Sequence, residues 1–102
     1  MSKAKQKTPI RSVEISCIAP AAREVFVAGT FNGWDQAPMK NKPGGRWIAK
    51  LSMQPGEHEY KYIVDGEWCC KPGVSEFDPV LSSDEGYVGN AYGTKNCKLV
   101  VT

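Results

Sequence analysis

The feature that most constrains the fold of this chain is the alternation of apolar and polar residues in short stretches. This pattern runs through residues 13–17, 47–53 and 58–64. Residues 24–30 form a β-branched and aromatic stretch that is too short for a helix, and shorter apolar stretches lie at 67–69 and 99–101. A period of two sends successive side chains to opposite faces, as in a half-buried β-strand. No stretch has the longer period of an α-helix, so the sequence predicts an all-β chain.

Turn-forming residues separate these stretches. Asn32-Gly33 and Asp65-Gly66 are pairs that tolerate positive φ, and the second is a strong signal for a β-hairpin. Pro43-Gly44-Gly45 and Pro55-Gly56 mark further turns. About seven short strands, with turns roughly every ten residues, predict an immunoglobulin-like antiparallel β-sandwich.

The length and charge of the chain predict one folded domain with a basic tail. The chain has 102 residues, of which 13 are basic and 11 acidic. Lys3, Lys5, Lys7 and Arg11 concentrate basic charge in residues 1–11, which we expect to be disordered, whereas the predicted domain at 12–102 is slightly acidic. A nucleic-acid partner needs positive charge on the folded face, so this distribution argues against one, although the tail could contact nucleic acid weakly.

The apolar stretches and the cysteines bear on location. No stretch approaches the ~20 apolar residues that a membrane-spanning helix needs, and no signal-peptide pattern follows Met1. The four cysteines lack the spacing of a zinc site. We expect reduced thiols in an intracellular, cytoplasmic protein without membrane contact, and a plastid location is compatible if a transit peptide was removed. A disulfide between Cys17 and Cys97 remains an alternative.

The titratable residues predict no enzyme, and neither a cofactor nor a metal. His58 shares the alternation of Tyr60 and Tyr62, which is typical of a packed or rim histidine. Ser82 and Asp84 lie in a loop-like segment without the turn that surrounds a catalytic serine, and the single histidine is far from them in sequence.

The three tryptophans fall into two classes. Trp47 alternates with the apolar residues of its stretch and is predicted to lie in the core. Trp34 lies in a tight turn and Trp68 follows the Asp65-Gly66 hairpin, so both are predicted to lie at a rim, where a ligand can cover them. A flat indole suits the C–H face of a glucose ring, and covering about 100 Å² of it contributes about 2.5 kcal/mol. Two indoles with a few polar contacts predict dissociation constants of about 1 mM to about 10 μM.

Two blocks, residues 25–34 (VFVAGTFNGW) and 55–68 (PGEHEYKYIVDGEW), resemble the family 48 carbohydrate-binding module. This family includes the glycogen-binding domains of AMP-activated protein kinase β subunits and plant starch-binding relatives. The resemblance covers residues 24–101 and implies an immunoglobulin-like sandwich that binds α-1,4-linked glucans such as glycogen, starch and maltooligosaccharides. It also implies a module that targets itself or an attached activity to the polymer, with a kinase, phosphatase or glucan-metabolising enzyme as further partner.

The resemblance also implies which residues bind sugar. The two stacking tryptophans correspond to Trp34 and Trp68, and the lysine that bonds to hydroxyls corresponds to Lys61. The segment Tyr92-Gly93-Thr94-Lys95-Asn96 matches a family loop whose contacts correspond to Tyr92, Thr94 and Asn96. Asn32 is expected to hold its turn rather than contact sugar.

An alternative function is a protein-interaction or scaffold module of the kinase β-subunit type that does not bind sugar. Two departures from the family motivate it: Cys69 to Pro72 replace a polar stretch, and the segment from Trp68 to Asn96 is longer than in the kinase subunits. The exposed aromatic rim would then be a hot spot for a protein partner.

Overall fold

The structure is a computed structural model that describes residues 10–73, 87–90 and 94–102. Most of the predicted tail, residues 74–86 of the loop-like segment, and Tyr92 lie outside the described residues. The strands are β1 (Arg11–Ile18), β2 (Val25–Gly29), β3 (Ala37–Pro38), β4 (Lys40–Lys42), β5 (Arg46–Met53), β6 (Gly56–Val64), β7 (Glu67–Cys69), β8 (Tyr87–Gly89) and β9 (Lys95–Val101).

These strands form two antiparallel sheets. The first has the order β1-β5-β4, and the second has the order β3-β2-β6-β9-β8 with β7 paired to β6 beside β9. The helical structure of the described residues is one turn of 3₁₀ helix at Thr30–Asn32. In this part of the chain no helix has the length and apolar character needed to cross a membrane. The predicted all-β sandwich is therefore confirmed.

The core lies where the alternation predicts it. In the first sheet Ile15 pairs with Ala49 and Cys17 pairs with Trp47, and directly opposed residues of antiparallel strands face the same side. In the second sheet Val27 pairs with Tyr62. These side chains pack together in one cluster between the sheets.

The described residues contain nine strands, more than the sequence predicts. The additional ones include β3, β4 and β8, each of which has only two or three residues. A stretch so short cannot display a period, and these strands exist because longer neighbours pair with them. β9 also begins earlier than the predicted 99–101, because its first half pairs with β8.

Two hydrogen bonds connect buried side chains to distant backbone. Trp47 is 5% exposed, and its Nε1–H donates to the carbonyl of Ala19 over 3.0 Å. The Tyr62 hydroxyl donates to the carbonyl of Ser16 over 3.0 Å and so links the two sheets. Burial raises the pKa of Tyr62, which keeps this hydroxyl protonated as a donor. The predicted core position of Trp47 is confirmed.

Replacing Trp47 with phenylalanine should destabilise the domain, because the substitution removes one of the two hydrogen bonds that the Ala19 carbonyl accepts, leaving only the one from the Ala22 N–H, and opens space in the core. We expect a loss of about 1–3 kcal/mol in the free energy of unfolding, measured by urea titration. Trp68→Phe is the matched control, since this indole is 38% exposed, and should change stability by less than about 0.5 kcal/mol. Equal losses in the two variants would contradict the division into core and rim.

The Asp65-Gly66 hairpin joins β6 to β7 and also ties down a distant segment. Both residues have positive φ, 49° and 88°, as a two-residue turn of this kind requires. The Asp65 carboxylate accepts hydrogen bonds from the backbone N–H groups of Glu24 and Arg23. These bonds lower the pKa of Asp65 below its ordinary value.

A lowered pKa in the folded state stabilises the fold above the ordinary carboxyl pKa, and this contribution disappears as the pH falls through the folded-state value. We expect Asp65→Asn, which tolerates the same positive φ, to unfold at a lower urea concentration than the wild type at pH 6. The difference should shrink towards pH 2. Glu67→Gln is the control in the same hairpin, because the Glu67 carboxylate has no hydrogen bond among the described residues. A gap that stays constant with pH would refute the assignment.

Candidate functional site

Three of the six predicted site residues lie in strands on the face of the six-stranded sheet that points away from the core. Tyr60 and Tyr62 of β6 face the core, so the alternate residues of that strand face outward. The register places further residues on this outer face, in the pairs Ala28–Lys61, Ile63–Trp68, Glu59–Lys98 and Val88–Asn96. The fold therefore brings Lys61, Trp68 and Asn96 to one surface.

The two rim tryptophans are held by turns and remain exposed. Trp68 follows the Asp65-Gly66 turn and is 38% exposed, and Trp34 is 37% exposed. Trp34 has a positive φ of 66°, and its N–H donates to the Gly29 carbonyl at the end of β2. The expected exposure of both indoles is confirmed.

The turn before Trp34 depends on Asn32 and Gly29. The Asn32 side-chain oxygen accepts a hydrogen bond from the Gly29 N–H over 3.1 Å, so Asn32 holds the turn as predicted. A Cβ atom at Gly29 would lie 2.5 Å from the Glu59 carbonyl oxygen and 2.5 Å from the Phe31 ring. Only glycine fits there, and it allows the turn to approach β6 closely.

Lys61 lies at the point along β6 where pairing with β9 ends and pairing with β7 begins. On the same side of β6, residues 56–60 pair with β9 and residues 62–64 pair with β7. The Lys61 side chain is buried, with 7% of the residue exposed, and its Nζ donates to the Thr94 hydroxyl over 3.2 Å. The structure thus brings together Lys61 and Thr94, two residues that the sequence analysis assigned to the same site.

Asn90 connects these residues into one network. Its Nδ2 donates to the Thr94 hydroxyl over 2.8 Å and to Asn96 Oδ1 over 2.9 Å. Its Oδ1 accepts from the Thr94 N–H over 3.1 Å, and its own N–H donates to the Thr94 carbonyl. Asn90 is therefore hydrogen-bonded to Thr94 across residues 91–93 and fixes the orientation of the Thr94 and Asn96 side chains.

Glu59 completes the network at its other end. Asn96 is 7% exposed, and its Nδ2 donates to Glu59 Oε1 over 2.9 Å. The Asn96 amide is thus bonded through both its oxygen and its nitrogen. No buried side-chain nitrogen or oxygen of the described residues lacks a hydrogen-bond partner, so every buried polar atom of the network has at least one.

Asn90 and Glu59 were missed by the sequence analysis. The alternation along β6 could have placed Glu59 beside Lys61 on the outer face. Asn90 carries no local signal, because β8 is too short to reveal a period and its partners come from β9. Of the predicted residues, Lys61, Thr94 and Asn96 form the network and the two tryptophans are exposed, whereas Tyr92 lies outside the described residues.

Asn90→Ala should destabilise the domain, because the Thr94 N–H and Asn96 Oδ1 lose their partner in a poorly hydrated place. We expect a loss of about 1–3 kcal/mol in the free energy of unfolding. Asn41→Ala, at an exposed position of β4 on the other sheet, is the matched control and should be within about 0.5 kcal/mol of the wild type. Urea titration of the two variants checks this, and equal stability would contradict the role of Asn90.

His58 has a structural role. Its Nε2 lies 2.8 Å from the Gln54 carbonyl oxygen, which requires the ring to donate from Nε2. Its Nδ1 then accepts from the Thr30 hydroxyl over 3.2 Å, and the ring packs edge-on against Phe31. The predicted packed or rim position of His58 is confirmed.

None of the four cysteines, all of which lie in the described part of the chain, forms a disulfide, so the alternative disulfide between Cys17 and Cys97 is absent. Cys97 donates to the Cys70 carbonyl and Cys70 donates to the Lys95 carbonyl. Burial raises the pKa of Cys17 to about 11, so the reactive thiolate of this residue is scarce at neutral pH. Cys69, Cys70 and Cys97 pack in the core on the side of the six-stranded sheet opposite the network, and Cys17 packs against the same core from β1 of the first sheet.

Comparison with known proteins places this chain in a family. The family described as the glycogen recognition site of AMP-activated protein kinase matches residues 19–99. The β-1 subunit of 5'-AMP-activated protein kinase from Sus scrofa is 36% identical over 72% of this chain and 56% of that protein. The β-1 subunit from Pongo abelii is 31% identical over 89% of this chain and 36% of that protein. The β-2 subunit from Mus musculus is 36% identical over 78% of this chain and 28% of that protein. The chain thus spans about a quarter to just over half of the length of these relatives.

Proposed function

Because this chain belongs to the carbohydrate-binding family described as the glycogen recognition site of AMP-activated protein kinase, we propose that it binds α-1,4-linked glucans. Glycogen, starch and maltooligosaccharides are the ligands of this proposal. The module is non-catalytic and attaches itself, or an activity joined to it, to the polymer. A kinase, a phosphatase or a glucan-metabolising enzyme would be the attached activity.

The exposure of Trp34 and Trp68 is the observation that carries this proposal. Each indole keeps more than a third of its surface in water, although burying such a side chain in the core would stabilise the fold. An exposed apolar plane at a rim offers a stacking surface for the C–H face of a glucose ring. Stacking on both planes holds a short glucan segment in the binding face.

The buried network supports the polar part of the proposal. Lys61, Thr94 and Asn96 are already held by hydrogen bonds to one another or to Asn90 and Glu59. A glucan hydroxyl that joins this network meets side chains that lose little further conformational entropy. Polar contacts of this kind orient the sugar, while the tryptophans contribute most of the apolar area.

The proposal predicts that Trp34→Ala and Trp68→Ala each weaken maltoheptaose binding about 5- to 30-fold, which corresponds to about 1–2 kcal/mol of lost stacking. The double variant should no longer be retained by amylopectin. Isothermal titration calorimetry measures the single variants, and a pull-down measures the double one. Ile18→Ala removes another exposed apolar side chain, from the first sheet, and should bind as the wild type does.

A titration followed by NMR of the indole N–H signals distinguishes this function from its alternative. With maltoheptaose, the signals of Trp34 and Trp68 should shift, while the Trp47 signal should stay in place because that indole is buried and bonded to Ala19. Three silent indoles at millimolar ligand would refute glucan binding. The exposed rim would then favour a protein partner, which free maltoheptaose would not displace.

A further inference from the structure

We propose that Glu59 is a sugar-contacting residue of the same face, with its Oε2 accepting a hydrogen bond from a glucan hydroxyl while Asn96 holds its Oε1. The inference rests on the proposed glucan binding and extends the set of binding residues by one carboxylate.

The position of Glu59 in β6 places it at the end of the face that adjoins the Trp34 turn. Its backbone N–H donates to the Thr30 hydroxyl over 3.2 Å, and Thr30 begins the 3₁₀ turn that leads to Trp34. Two residues further along β6 on the same side is Lys61, followed by Ile63, which pairs with Trp68. Along β6, Tyr60 pairs with Gly29 and Ile63 pairs with Trp68. These two positions are three residues apart, which is about 10 Å of strand. A glucan that contacts both tryptophans therefore passes close to Glu59.

The carboxylate of Glu59 is held in place, but it forms no ion pair with any residue that the structure describes. Asn96 Nδ2 donates to its Oε1 over 2.9 Å, and Oε2 has no hydrogen bond among the described residues. Lys98 lies opposite Glu59 in the register, yet its Nζ pairs with Glu57 over 3.7 Å instead. Lys61 donates to Thr94, and no ion pair joins Glu59 to a lysine or arginine of the described residues.

A half-buried carboxylate without an ion pair is suited to accept hydrogen bonds from hydroxyl groups. An ionised carboxylate only accepts, and hydrogen bonds to it are stronger than those between neutral groups. The hydroxyls of a glucan are such donors. Because they are uncharged, they do not compete with Glu57 for Lys98. The Asn96 bond fixes the carboxylate plane in advance, so that Oε2 is oriented before the sugar arrives.

Glu59→Gln separates contact with sugar from support of Asn96. The side-chain amide oxygen of this variant can still accept from Asn96, while an uncharged NH₂ group replaces the charged acceptor at the position of Oε2. We expect this variant to bind maltoheptaose about 5- to 10-fold more weakly than the wild type, since the charge-assisted bond is lost. Glu57→Gln is the matched control on the same strand and should keep wild-type affinity. Calorimetry gives the affinities, and thermal unfolding confirms that both variants fold.

The outcomes are distinct. A weakened Glu59→Gln variant with an unchanged melting temperature supports the contact. An affinity of Glu59→Gln within twofold of the wild type overturns the contact. If Glu59→Ala alone then loses affinity for maltoheptaose, the role of Glu59 is limited to positioning Asn96. In both of these cases the wild type binds, so glucan binding itself stands. Failure of the wild type to bind maltoheptaose refutes the proposed function, and this inference with it.

Discussion

The two-residue alternation along β6 is the constraint on which the rest of the structure depends. This strand pairs with β2 on one side and with both β7 and β9 on the other. Its inward residues, Tyr60 and Tyr62, pack in the core and reach the first sheet, while its outward residues, Glu59 and Lys61, belong to the polar network. A slip of one residue would turn the charged side chains toward the core and the tyrosines away from it. The same register therefore maintains both the core and the candidate binding face.

The candidate binding face shows how a sheet can carry buried polar groups on its outer side. Lys61, Thr94 and Asn96 are each less than a tenth exposed, and burying such groups is costly unless they are hydrogen-bonded. Asn90 and Glu59 provide those bonds, so the network adds rigidity without leaving a buried polar side-chain atom unsatisfied among the described residues. The indoles of Trp34 and Trp68 remain in contact with water. A rigid polar floor beside two exposed aromatic planes is the arrangement that the proposed glucan function requires.

Several features followed directly from the sequence, for reasons visible in particular residues. The position of Trp47 in the core followed from its alternation with Ala49, and the hairpin at Asp65 followed from turn chemistry. The resemblance to a known family named Lys61, Thr94 and Asn96 as a group, and the fold gathers them in one network, while their contact with sugar is still a prediction. Asn90 was not identified, because its role depends on β8 pairing with β9. The short strands β3 and β4 were missed for the same reason, since pairing rather than local pattern creates them.

The sequence by itself determined the fold class, the residues of the core and the turns, because alternation and turn chemistry act between neighbours along the chain. It also separated Trp47 from the two rim tryptophans. Only the tertiary structure decided that Lys61 is buried, that Asn90 orients Thr94 and Asn96, and that the Glu59 carboxylate is held by Asn96 rather than by a lysine. These relations join residues about 30 or more positions apart or depend on β8 pairing with β9, and strand pairing and register, which no local pattern specifies, bring them within hydrogen-bonding distance.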